Sequence, residues 1–269
     1  MPSKKTGLRF REIAFAVTMG ALGAGGAALL LSVDDGPSPI VVAGDRAATA
    51  NRMTYEVAEF EEISSVGPQD VVVTRGDSYA VRAEGSPEAL ALLEVVVDDG
   101  ELTIRPRDQF RFGFDWSRVA SATFYVTVPQ LEEVSLAGSG DIRIDRIEGE
   151  SFSGSIAGPG ELAIATLEVD EADFRIGGSG NVVAAGTARE ARVSIGGSGE
   201  VRAGGLLSQT ASVSVGGSGN VALTVQDEAQ VSIAGSGDVD ISGPARCSVS
   251  RLGSGKVTCN GVERDSWRS

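Results

Sequence analysis

Between residues 131 and 261, apolar residues occupy every second position on both sides of a short glycine turn, and this arrangement keeps returning. The turn is Gly-x-Gly, beginning at Gly138, Gly158, Gly178, Gly197, Gly217, Gly235 and Gly253, at intervals of 18 to 20 residues. Two residues before each turn stand Leu136, Ile156, Ile176, Ile195, Val215, Ile233 and finally Arg251. Four residues after its first glycine stand Ile142, Leu162, Val182, Val201, Val221, Val239 and Val257. Alternation with period 2 on both flanks predicts two half-buried strands per repeat. The position three before the turn is polar throughout: Ser135, Ser155, Arg175, Ser194, Ser214, Ser232 and Ser250.

Like residues at like offsets favour stacked parallel strands over an antiparallel meander, because stacking places each residue above its equivalent about 4.8 Å away. One coil buries four or five aliphatic side chains at about 1.5–3 kcal/mol each. Ordering its backbone costs about 1–2 kcal/mol per residue, so a coil folds only between neighbours. The expected fold class is all-β: a single-domain parallel β-solenoid of about 20-residue coils with an irregular N-terminal β cap, preceded by an N-terminal transmembrane or signal helix. In the final coil, Arg251 at an inward position and Leu252 where other coils carry Ala or Gly predict a register shift at the end of the stack.

The chain divides into five segments. Residues 1–33 are a membrane anchor or signal segment: Lys4, Lys5, Arg9 and Arg11 precede an apolar run over 13–33. That run has the length of a bilayer-spanning helix, and the basic flank places the N-terminus in the cytoplasm. Val41-Val42-Ala43 resembles a cleavage site, which keeps a cleavable signal peptide open, while the length favours an uncleaved anchor. Residues 34–54 read as a flexible linker. Residues 55–130 read as N-terminal β coils and cap. They include a short helix opened by Ser86-Pro87-Glu88 and running through Glu94, and a hairpin turn at Asp98-Asp99-Gly100. Residues 131–261 form the Gly-Ser-Gly repeat solenoid, and 262–269 a polar tail whose Trp267 is expected to cap its end.

Composition narrows the chemistry. The net charge is −14 and histidine is absent. Such an acidic surface disfavours nucleic acid and anionic lipid as partners and keeps a strand-rich rod soluble. Without histidine there is no Ser-His-Asp or Cys-His site and no His-ligated metal. Gly253-Ser254-Gly255-Lys256-Val257 fails the phosphate-loop pattern at both ends. Three residues after each turn glycine come Asp141, Glu161, Asn181, Glu200, Asn220, Asp238 and Lys256. These fall one place early for a calcium-binding repeat and read as a turn-favouring ladder. A glycan-active enzyme on this scaffold needs clustered carboxylates or a calcium-and-basic groove, whereas Arg143, Asp145, Arg175 and Arg202 are scattered. The expectation is a non-enzymatic protein without metal or cofactor.

The two cysteines, Cys247 and Cys259, fall at inward positions six residues before and after the last turn glycine. They predict a disulfide across the last coil, suited to an oxidising compartment. Phe110, Phe112, Phe114 and Trp116 alternate with Arg111, Gly113 and Asp115, which puts four aromatics on one strand face. That face is either a candidate partner-binding platform for protein or glycan or a flap packed over the solenoid end.

The repeated Gly-Ser-Gly-(Asp/Asn/Glu)-Val turns resemble those of the bacterial head GIN domain family of auto-transporter adhesins. So do Phe60-x-x-Ile63, Val71-x-Val73, Gly100-x-Leu102-x-Ile104 and Val128-Pro129-x-Leu131. The resemblance implies an exported β-solenoid with a role in adhesion and no catalytic residues to transfer. An auto-transporter would end in a membrane β-barrel, and no such segment follows the last coil here. Three functions follow as expectations. The first is a binding or structural module in the bacterial cell envelope, anchored in the inner membrane with its domain in the periplasm, or exported after signal cleavage. The second is an inner-membrane scaffold or sensor that joins copies of itself or partner proteins. The third is a β-helix polysaccharide-active enzyme.

Overall fold

The computed structural model describes residues 40–41, 44–45, 51–107 and 122–264. The predicted anchor, the aromatic run 110–116 and Trp267 lie outside the described residues. Among those described, no helix is long and apolar enough to cross a membrane.

The strands in chain order are β1 (Ile40–Val41), β2 (Gly44–Asp45), β3 (Arg52–Tyr55), β4 (Glu62–Val66), β5 (Asp70–Arg75) and β6 (Ala80–Glu84). Helix α1 (Pro87–Leu92) precedes β7 (Leu93–Asp98), β8 (Glu101–Pro106), β9 (Thr123–Val128) and β10 (Glu133–Ala137). The repeats are β11 (Asp141–Gly158), β12 (Glu161–Gly178), β13 (Asn181–Gly197), β14 (Glu200–Gly217) and β15 (Asn220–Gly235). The chain closes with β16 (Asp238–Ser242), β17 (Arg246–Gly253), β18 (Lys256–Cys259) and β19 (Val262–Glu263).

The repeats are stacked parallel, as the recurring offsets require. β11 pairs with β12 from Asp141↔Glu161 to Gly158↔Gly178 with every glycine turn in register, and the same holds up to β15 and β17. Each coil has three sides, where two strands per repeat are expected from the alternation alone. In β11 the inward residues Ile142 and Ile144 are followed by two successive outward ones, Asp145 and Arg146, and Glu150 and Ser151 repeat this break before Phe152. These breaks are corners that separate side 1 (141–144), side 2 (146–149) and side 3 (151–157). Side 2 is too short and too irregular to announce itself by periodicity.

Side 2 and its corners also absorb the variable repeat length. β12 and β13 lose register only between Ile164 and Leu167, where two residues face one. β14 and β15 do so between Ala203 and Leu207 and between Ser208 and Thr210. Sides 1 and 3 stay in step, because their aliphatic ladders fill the lumen: Leu136, Ile156, Ile176, Ile195, Val215 and Ile233 are all buried.

The two turn glycines have different tasks. Gly178 holds φ at +128°, a region L side chains rarely adopt. A Cβ on Gly180 would lie 2.6 Å from the Gly160 carbonyl oxygen and 2.7 Å from Ile156 Cγ2. At the second glycine close approach alone decides, whereas the first needs the left-handed φ and in most coils the close approach as well, as at Gly197, where a Cβ would lie 2.3 Å from the Gly178 oxygen.

The N-terminal layers are laid down out of order. β4 and β5 form a coil through Gly67-Pro68-Gln69, with Gly67 at φ 128°. β10 and β11 lie on one side of this coil, and β8 and β9, which come later in sequence than β5, lie on the other. Beyond them β7 runs antiparallel to β8, β6 antiparallel to β9, and β3 antiparallel to β6. Antiparallel strands need only short links and end the parallel stack, which closes an edge that would otherwise be exposed. Helix α1 is capped by Ser86, whose hydroxyl accepts from the Ala89 N–H. It ends at Leu92 rather than Glu94, because the β-branched run through Val97 is already strand β7. Asp99 and Gly100 both take positive φ (52° and 84°), the twist a two-residue hairpin link demands.

At the far end Arg251 stays in register with Ile233, and Leu252 with Ala234. The expected register shift is absent. With no further coil to fill, the Arg251 side chain turns to the Gly255 carbonyl, 2.8 Å away, and Leu252 is left 76 % exposed.

Candidate interaction surface

In-register stacking turns each repeated position into a continuous stripe. On side 3, Ser64, Ser135, Ser155, Arg175, Ser194, Ser214, Ser232 and Ser250 stand in direct register from β4 to β17. A second hydroxyl stripe follows the turn corner, where Ser236 and Ser254 lie 3.1 Å apart. These hydroxyls can each donate and accept a hydrogen bond along the rod.

The residues three past the turn glycine have a structural task. The Asp70 carboxylate accepts the Asp141 N–H and the Asp141 carboxylate accepts the Glu161 N–H. Likewise Asn220 accepts from the Asp238 N–H, and Asp238 from the Lys256 N–H, at 3.0 and 2.9 Å. Each side chain is thereby tied to the next coil. Among the described residues no group of His, Cys, Asp and Glu is arranged to hold a metal.

Arg143, Arg175 and Arg202, weighed above for a catalytic groove, are engaged with neighbours, as is Arg192. Arg202 bridges Glu200 and, two coils back, Glu161. Arg192 joins Glu171 and Glu190, Arg143 meets Asp141, and Arg175 pairs with Asp173. These are exposed pairs that align side chains along the rod and contribute little each.

The N-terminal end of side 3 carries the opposite arrangement. Glu62 is in direct register with Glu101 on one side and Glu133 on the other. Partial burial first, and then the facing carboxylates, push the Glu62 and Glu133 carboxyls above their ordinary range. Beneath this acidic ladder the lumen is polar. Ser65 and Gln69 are fully buried, with Gln69 Nε2 donating to Ser65 Oγ, the Val66 carbonyl and the Ile104 carbonyl. Among the described residues Gln69 Oε1 and the Tyr55 hydroxyl are buried without a partner, and burial pushes the Tyr55 phenol up to about 12 against the pull of Arg107. Sequence reading expected N-terminal β coils over 55–130 but did not place this coil's turn or register, because Gln69 replaces the second turn glycine and 71 residues separate Gly67 from Gly138. The one available signal was Val66-Gly67-Pro68, a glycine turn between two alternating runs.

Cys247 and Cys259 are joined in a disulfide, with Cα atoms 6.5 Å apart. The bond links side 3 to side 1 across the last coil, as their inward positions predicted. Phe110, Phe112, Phe114 and Trp116 lie outside the described residues.

The family model described as "putative auto-transporter adhesin, head GIN domain" matches residues 59–245. The chain belongs to the head GIN domain family. Solved structures share the fold of this head GIN domain. A protein from Bacteroides fragilis NCTC 9343 titled a "putative adhesin" superposes with a TM-score of 0.71 at 22% identity, over 77% of this chain and 95% of that one. A "putative lipid binding protein" from Parabacteroides distasonis ATCC 8503 gives 0.61 at 20% identity, over 77% and 95%. A "putative adhesin" from Parabacteroides merdae ATCC 43184 gives 0.60 at 18%, over 81% and 95%. At these identities the likeness speaks for the fold alone. No curated protein matches the head GIN domain described here.

Proposed function

We propose that this head GIN protein is a non-enzymatic binding module of the bacterial cell envelope, held at the membrane by its apolar segment over 13–33. The solenoid is a rigid rod that presents side chains at fixed spacing outside the cytoplasm. Its contact surfaces are the hydroxyl stripe of side 3 and the aromatic run Phe110, Phe112, Phe114 and Trp116, and its ligand is a glycan or protein of the envelope. The observation that carries this reading is the stripe itself. It runs the length of side 3, while the arginines of the central coils are paired with carboxylates, which favours recognition over chemistry as the use of the surface.

The test is made on whole cells expressing the full chain. External protease should cut an exported epitope tag, and cells should bind a glycan or protein array in a manner reduced by Phe112→Ala with Trp116→Ala. A tag accessible only from the cytoplasm would sink the proposal. So would undiminished binding after both the aromatic pair and Ser194→Asp with Ser214→Asp are introduced.

A further inference from the structure

The two ends of this solenoid are finished differently among the described residues. The N-terminal end is finished by antiparallel β3, β6 and β7, and at the C-terminal end β18 is covered by β19. Among the described residues β17 has a neighbouring strand, β15, on one side only. On side 3 the direction of backbone groups alternates. Ser153, facing outward, donates its N–H back to the Glu132 carbonyl of the preceding coil, and Gly138 donates forward to the Ala157 carbonyl of the next. Carried to β17, this alternation directs the N–H and C=O of Val249 and the C=O of Cys247 to the open edge. Val249 is only half-buried, unlike Val213 and Val231 beneath it.

The charge beside this edge is unusual for the protein. Arg246 and Arg264 line a depression of about 990 Å³ together with Ser248, Ser250 and Glu228, the last in direct register with Arg246. Neither arginine meets a carboxylate at ion-pair distance among the described residues, whereas Arg143, Arg175, Arg192 and Arg202 of the earlier coils all do. In a chain of net charge −14, these two arginines, without an ion-paired carboxylate among the described residues, stand beside a row of backbone hydrogen-bonding groups.

We infer that the β17 edge accepts an extended, acidic segment of a partner protein as an added strand. The added strand continues the coil pattern: carboxylates at outward positions meet Arg246 and Arg264, and aliphatic residues at inward positions cover Val249 and the Cys247–Cys259 bond. Main-chain hydrogen bonds supply affinity, and the alternating side chains supply specificity. This surface is distinct from the aromatic run and stands whether or not that run binds anything.

The test uses the full-length chain and two labelled octapeptides, one alternating Glu with Val and the other Lys with Val, followed by fluorescence anisotropy. The Glu peptide should bind at least tenfold more tightly than the Lys peptide and weaken as salt rises. Arg246→Glu with Arg264→Glu should lower its affinity at least tenfold. Val249→Pro removes an N–H aimed away from β15, and should abolish binding while the circular dichroism spectrum is kept. If the proline variant does not fold, the charge reversal decides. Equal binding of both peptides overturns the inference, as does binding indifferent to the arginines. Binding that appears only after deletion of residues 265–269 also overturns it and assigns the edge to the chain's own tail. A concentration-dependent dimer lost in Val249→Pro overturns it in favour of a second copy.

Discussion

The glycine turns offer the sharpest test of the stacked-coil reading, because neighbouring glycines should respond differently to the same methyl group. In Gly180→Ala the new Cβ falls 2.6 Å from the Gly160 carbonyl oxygen and 2.7 Å from Ile156 Cγ2. That carbonyl already accepts the Asn181 N–H at 3.0 Å, so relief requires the coils to part and the bond to stretch. Overpacking costs about 1–3 kcal/mol, and a weakened hydrogen bond adds about 1 kcal/mol. The expected loss is thus about 2–4 kcal/mol, or about 5–15 °C in Tm for a domain of this size. Gly178→Ala meets the Gly158 oxygen at 3.0 Å but must hold φ at +128°, a strain of about 1–3 kcal/mol. Gly204 is the control, with nothing within 4 Å of an added Cβ and no left-handed φ. Gly204→Ala should be neutral or stabilise by about 0.4–1 kcal/mol through the unfolded chain. Differential scanning calorimetry of the three variants gives the order, and hydrogen exchange should place the damage of Gly180→Ala in the coils on either side. A Gly180→Ala melting within 1 °C of Gly204→Ala would refute parallel stacking in this register.

Further predictions rest on other parts of the rod. Burial raises the Glu62, Glu133 and Asp173 carboxyls, with like charge adding to it at the two glutamates and arginines opposing it at Asp173, so the folded state binds protons more tightly than the unfolded chain there. Their penalty is present at neutral pH and is relieved as pH falls through the raised folded values toward the ordinary carboxylate range. The urea midpoint should therefore gain from these groups between pH 7 and pH 5, and Glu62→Gln should flatten that gain. The same variant should stabilise the protein at pH 7 by about 0.2–1 kcal/mol for each of its two like-charge cross-strand pairs. Reducing the Cys247–Cys259 bond should cost about 2–3 kcal/mol, with exchange protection lost first in β17 and β18 while β11 to β13 hold. Asp238→Ala removes the acceptor for the Lys256 N–H and should cost about 0.5–1.5 kcal/mol. A chelator should leave the melting temperature of the parent protein unchanged, and a drop would show that the ladder holds a cation.

The amino-acid sequence alone determined that this protein is a stack of like coils. Identical offsets of aliphatic residues around a recurring glycine turn admit few arrangements, and the inward parity of Cys247 and Cys259 was enough to pair them. Periodicity could not show side 2, whose residues break the alternation at both corners, nor the coil of β4 and β5, which has one turn glycine and no neighbour in sequence to repeat. Those features depend on long-range pairing. β5 lies between β9 and β11 because the chain returns beneath it after α1, and no local pattern encodes that return. The same holds for the surface. A serine every 20 residues is only a composition until the register aligns it into a stripe. Arg246 and Arg264, 18 positions apart in sequence, line one depression only because the last turns bring the chain back beside β17. Local alternation sets what each strand buries, and the pairing between distant strands decides what the folded surface can recognise.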